Sequence, residues 1–154
     1  MQNEHEHHLD SRPIRDAITR TLAVVGLAGV ALIHLLDAHD TFLSSPVQGW
    51  LYVGLITGTL GTAALLARRS DPRAWTAALL LPLGAFLAFV YSRTIGLPGG
   101  ADDIGNWWEP LGLASLFVEA AVIAVAGAVL SEQRRAHALV ARSRPAARAG
   151  IMAG

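Results

Sequence analysis

Five ionisable residues stand in or beside long apolar runs: His34, Asp37, Arg93, Glu109 and Glu119. They are the candidates for binding a ligand or handling protons. His34 and Asp37 are three residues apart and share a face if that stretch is helical. An imidazole beside a carboxylate in a confined space suits a first-row divalent metal ion or proton exchange. Glu119 lies in Leu111–Leu130, a run with no other ionisable group. An ionised carboxylate surrounded by hydrocarbon is disfavoured by about 3 kcal/mol or more, so it must be protonated, paired or hydrated internally. Two readings follow for Glu119: a neutral side chain giving one hydrogen bond to a neighbouring helix backbone, or a proton or ligand site. Arg93 is the one cation among several acids in its part of the chain and is the natural partner for one of them. It either clamps the third and fourth apolar runs together as a structural ion pair or belongs to the same site.

If the occupant is a divalent metal ion, its candidate ligands are His34, Asp37, His39 and Glu119. Haem is disfavoured. Two axial histidines would have to come from different helices, and only His34 is well inside an apolar run. There is no cysteine, which excludes disulfides, thiolate metal sites and Cys nucleophiles. Ser92 and Ser115 lack a Gly-x-Ser-x-Gly elbow, and no phosphate-binding glycine loop occurs. No catalytic residue is assigned, and a non-catalytic role is favoured. The cluster of Glu4, His5, Glu6, His7, His8 and Asp10 is a further group able to collect a divalent cation, or simply a solvated end.

The elements that must position these groups are legible from composition. Of 154 residues 53% are hydrophobic and 16% charged, too little polar surface to coat a water-soluble globule. The formal charge of zero gives no sign of a nucleic-acid partner, and twelve arginines with no lysine suggest a bacterial, GC-rich genome. The apolar residues gather into four blocks, each near the roughly 20 residues that a helix needs to cross a bilayer core. The expected fold is all-α, an integral membrane antiparallel four-helix bundle with both termini cytoplasmic. The spans are placed at about 17–37, 47–67, 74–93 and 110–131 within a domain over about 17–131. Residues 1–16 are expected to form a flexible N-terminal tail, and 132–154 an Arg/Ala-rich C-terminal tail. Eleven arginines fall on the side of the termini and only Arg93 on the other, which sets the orientation by the positive-inside rule. Asp37, Asp40, Asp102, Asp103, Glu109 and Glu119 make the non-cytoplasmic half acidic. The first run is too long for a signal peptide, and Leu36-Asp37-Ala38 is a poor cleavage site.

Packing signals are weaker. Gly54-x-x-x-Gly58 with Gly61, and Ala120, Ala124 and Ala128, offer small faces for contact within one bundle or between copies. Pro82 predicts a kink in the third span. Trp50, Tyr52, Tyr91, Trp107 and Trp108 read as an aromatic belt at one boundary, and Trp75 at the other.

The segments His34-Leu-Leu-Asp-Ala-His-Asp-Thr-Phe42, Ser92-Arg-Thr-Ile-Gly-Leu-Pro98 and Trp108-Glu-Pro-Leu-Gly112 through Glu119 carry a resemblance. The chain resembles an uncharacterised family of small four-transmembrane-helix bacterial membrane proteins, over most of Ala17–Leu130. The resemblance implies a polar set of His34, His39, Arg93, Thr94, Glu109 and Glu119, and implies no activity. This chain departs from the family's pattern at Ala38, His39 and Asp40.

Three functional readings are left: a polar pocket for a metal ion or small ligand in the outer half of the bundle, an accessory or structural subunit of a larger membrane complex, and an oligomeric proton-coupled transporter. All three place the chain in the bacterial cell membrane as a multi-pass protein. Its partners are then the lipid bilayer and either further copies of itself or a larger complex.

Overall fold

Each apolar block folds as a helix, and the last three are opened by proline. The computed structural model describes the backbone of residues 3–97 and 103–152, and the side chains of 13–97 and 103–141. Four helices follow in order: α1 (Asn3–Ser44), α2 (Pro46–Arg68), α3 (Pro72–Thr94) and α4 (Pro110–Met152). Pro46, Pro72 and Pro110 each open a helix, where the missing N–H costs nothing and the fixed φ is already helical. Asp71 caps α3 by accepting the Arg73 N–H at 2.8 Å. Ser45 alone separates α1 from α2; its N–H donates to the Thr41 carbonyl at 2.8 Å, and its carbonyl accepts the Gly49 N–H at 3.0 Å.

All four helices are long and apolar enough to cross a membrane. The 23 residues of α2 and of α3 reach about 35 Å at 1.5 Å per residue, matching a hydrocarbon core of about 30 Å. α1 and α4 are longer than the spans expected from sequence, and their apolar windows lie within Pro13–Ser44 and Pro110–Ala141. α4 runs on through an Ala- and Arg-rich flank of good helix formers, and α1 also extends beyond its apolar run. The side chains of the Glu4–Asp10 cluster and of Arg142, Arg144 and Arg148, and residue Asp102, lie outside the described residues. α3 continues through Pro82, which is buried.

The chain runs up and down, with α1 against α2 and α4, and α3 against α4 and α2; α1 and α3 touch little, and among the described residues α2 and α4 do not meet. One end of the bundle holds the α2–α3 turn and the points where α1 and α4 extend onward, with Arg15 of α1 at 3.8 Å from Glu132 of α4. The core sits in this half: Ala23, Leu27, Ala63, Leu66, Ala74, Trp75, Ala78, Val122 and Ala126 form one cluster. Small residues let the helices close tightly. At Gly26 a β-carbon would stand 2.4 Å from the Val122 side chain, so α1 and α4 can meet there only over glycine.

Trp75 departs from the sequence expectation. It is fully buried in this core, and its indole N–H donates to the Ser70 hydroxyl at 3.0 Å, rather than lying in a boundary belt. Trp75 packs in one cluster with Ala74 beside it and Ala78 one turn on, and among such small neighbours a large side chain fills the gap. Of the small faces, Gly58 packs within the bundle, where a β-carbon would stand 3.2 Å from Leu81, whereas Ala120, Ala124 and Ala128 are exposed and a β-carbon on Gly54 or Gly61 would meet nothing, which leaves those positions open to contact between copies.

Candidate functional site

At the opposite end the helices enclose a cavity of about 560 Å³. Its lining runs from Asp40 and Ser44 at the rim to Ser115 and Glu119 at depth, and includes His34, Asp37, Tyr52, Phe89, Arg93 and Glu109. All four helices contribute. This mouth end also carries the α1–α2 and α3–α4 connections.

Glu119 forms the floor, ten residues beyond Glu109 and so about 15 Å further along α4. It is 1% exposed. The Ser115 hydroxyl, one turn earlier, donates to its Oε1 at 2.7 Å, whereas Oε2 has no hydrogen-bond partner. The expected bond to a neighbouring helix backbone is therefore replaced by one from α4 itself. Across from it, His34 donates its Nδ1–H to the Val30 carbonyl at 2.9 Å, a bond within α1 that fixes the tautomer and aims Nε2 at Glu119. The Nε2–Oε1 separation is 3.8 Å, too long for a direct hydrogen bond.

Midway up, Asp37 accepts from the Tyr52 hydroxyl at 2.9 Å and the Thr41 hydroxyl at 3.2 Å through the same oxygen, Oδ2. The Tyr52 ring stands edge-on to His34 with centroids 4.8 Å apart. Tyr52 is thus a wall of the cavity and not a belt residue, because it is one turn from Gln48 on the face of α2 turned to α1. Trp50, Tyr91, Trp107 and Trp108 are exposed, as a belt requires.

Nearer the rim, Arg93 is 5% exposed and holds two acids, Asp103 at 2.6 Å through Nη1 and Glu109 through Nη2. Its guanidinium lies 4.7 Å from the Phe89 ring centroid. The loop that delivers Asp103 is pinned to α3 by Gly105, whose N–H donates to the Arg93 carbonyl at 2.9 Å from a backbone with φ +81° that favours glycine. The ion pair expected between α3 and one acid is a triad that also fastens the connecting loop.

The five candidates His34, Asp37, Arg93, Glu109 and Glu119 therefore line one cavity. The metal set fares differently. Five residues along a helix is a rotation of about 140°, so His39 turns away from the face of His34 and is exposed. Asp37 spends its bonds on Tyr52 and Thr41, and among the described residues no three of His, Asp and Glu converge to hold a metal ion. Of the set implied by the family resemblance, His34, Arg93, Glu109 and Glu119 line the cavity. Thr94 is exposed and bonds back to the Val90 carbonyl.

Sequence reasoning missed Thr41, Tyr52, Phe89, Asp103 and Ser115 as parts of the site. Three of these had a readable signal, since Asp37–Thr41, Gln48–Tyr52 and Ser115–Glu119 are each polar pairs four residues apart in apolar helices. No family model, curated protein or solved structure matches the chain.

Proposed function

We propose that this is a multi-pass protein of the bacterial cell membrane whose outer half holds a binding pocket for a small polar ligand. The observation that carries the reading is that His34, Asp37, Arg93 and Glu119, from three helices, and Glu109 just before α4 line one cavity of about 560 Å³, a volume typical of small-molecule sites. Buried ionisable groups in a membrane-embedded bundle are costly and are retained where they serve a function. The arginines at the end bearing the termini support a cytoplasmic location for that end, so the mouth faces outward. Among the described residues no three His, Asp or Glu side chains converge, and the mixed polar and apolar lining favours an organic ligand over a metal ion.

The test is a thermal-shift screen of the full chain in lipid nanodiscs against small cations, anions, neutral polar solutes, and zinc and copper ions. At least one organic solute raises the unfolding temperature saturably, by about RT ln(1 + [L]/Kd) in free energy. A screen with no response in any charge class overturns the pocket as a ligand site. A second polypeptide co-purifying in place of any ligand response supports the accessory-subunit reading. Orientation has its own readout, because the chain has no cysteine. Asn106→Cys reacts with an impermeant maleimide on intact cells, and Arg69→Cys reacts only after lysis; the reverse pattern inverts the topology.

A further inference from the structure

Charge in the cavity is unevenly distributed. Five carboxyl groups line it, those of Asp37, Asp40, Asp103, Glu109 and Glu119, against one guanidinium. Arg93 gives both Nη groups to Asp103 and Glu109 near the rim, and only its Nε is without a partner. No arginine therefore reaches the deeper carboxyls of Asp37 and Glu119. Asp37 is met only by hydroxyl groups, from Tyr52 and Thr41. Glu119 is met on Oε1 by the Ser115 hydroxyl, with His34 Nε2 at 3.8 Å from the same oxygen, while Oε2, on a side chain 1% exposed, is left with no partner. A buried acceptor in that state stands in want of a donor.

The rest of the lining says what kind of donor fits. Leu51, Leu55, Leu111 and the Phe89 ring are apolar walls beside these carboxyls. A bare metal ion would use none of that surface, and among the described residues no three ligating side chains converge to hold one. An anion would meet a surplus of carboxylates. A charged nitrogen on an apolar body answers both features, because it donates to Glu119 and buries its carbon skeleton against the leucines.

We infer that the pocket takes a small organic ammonium ion, with its N–H groups directed to Glu119 Oε2 and its apolar part against α2 and α4. This rests on the reading of the cavity as a ligand site and names the class of ligand. Glu119 is the anchoring acceptor, and Asp37 sets the negative potential through which the ion passes.

The test uses three probes of like shape, 2-phenylethylammonium, 2-phenylethanol and phenylacetate, with the full chain in nanodiscs and binding read by ligand-observed NMR against protein-free nanodiscs. The ammonium binds saturably and the other two do not. Glu119→Gln weakens it by about 30-fold or more, as expected for removing one partner of a buried charged hydrogen bond. Asp37→Asn is the second variant and also weakens it, so a fold defect in either protein leaves the other to decide. Equal binding of 2-phenylethanol, or preferential binding of phenylacetate, overturns the ammonium assignment while leaving a ligand pocket in place. Absence of ammonium binding overturns it as well; whether the pocket reading falls too is decided by the broader thermal-shift screen.

Discussion

The two halves of this bundle are built from the same four helices and solve opposite problems. In the half near the termini, alanines and Gly26 draw the helices together, and Trp75 and Leu27 fill what space is left. In the mouth half, Tyr52, Phe89, Arg93 and the acids hold the helices apart around a cavity. Lipid tails are as apolar as leucine, so burying leucine gains little in a membrane, and helices there are held by close contact and polar bonds. The tight half relies on the first of these; the mouth half adds the second to close contacts of its own, such as that of Gly112 with Phe89. A cavity large enough for a ligand can exist at one end because the other end supplies the packing.

That division makes the largest expected effect a packing one, remote from the site. Trp75→Ala removes a fully buried indole and leaves a void among Ala74, Ala78 and Leu66 that alanine-sized neighbours cannot close. The expected loss is about 3 kcal/mol of stability in detergent or nanodiscs, measured by thermal or denaturant unfolding. Affinity for any cavity ligand should change little in the folded fraction. A Trp75→Ala protein of unaltered stability would mean that the tight half does not carry the fold.

Arg93→Met tests the polar half. It keeps the length of the side chain and its contact with Phe89, but leaves Asp103 and Glu109 unpaired beside each other. Removing one partner of a fully buried ion pair costs about 3–5 kcal/mol. Here the Asp103 and Glu109 side chains are 42% and 34% exposed and can be rehydrated, so the expected loss is nearer 2 kcal/mol. The loop fastened through Gly105 and Asp103 should loosen with it, read as faster amide exchange over residues 103–109. Stability equal to the parent protein would reduce the triad to a surface contact and weaken the contrast between halves.

How much of this was legible beforehand follows the physics of each half. Helix number, approximate limits and apolarity come from composition and length, because hydrocarbon admits few alternatives to a continuous helix. His34, Asp37, Arg93, Glu109 and Glu119 were legible because polarity in an apolar run is visible residue by residue. Rotation about the helix axis was not. Whether Trp75, Tyr52 or His39 faces inward depends on which neighbour each helix chooses, and Ala120-x-x-x-Ala124 looks like a packing face on paper yet is exposed. The contact at Gly26 depends on Val122 of another helix, and no local pattern near either residue announces the pairing.

The smallest expected effect is the sharpest for the polar half. Tyr52→Phe removes one hydroxyl and retains the ring against His34. Asp37 loses its bond of 2.9 Å from α2 and keeps that from Thr41 on its own helix. A net hydrogen bond of this kind contributes about 1 kcal/mol, more when the acceptor is charged. The expected outcome is a loss of stability near that figure, which Thr41→Ala alone should not reproduce in full, since its bond is longer and lies within α1. The double variant would then exceed the sum of the two single losses, because Asp37 would be left with neither hydroxyl. Strict additivity would show that Asp37 is satisfied by solvent, and would make the mouth of the bundle a wet surface cleft instead of a polar half that holds α1 to α2.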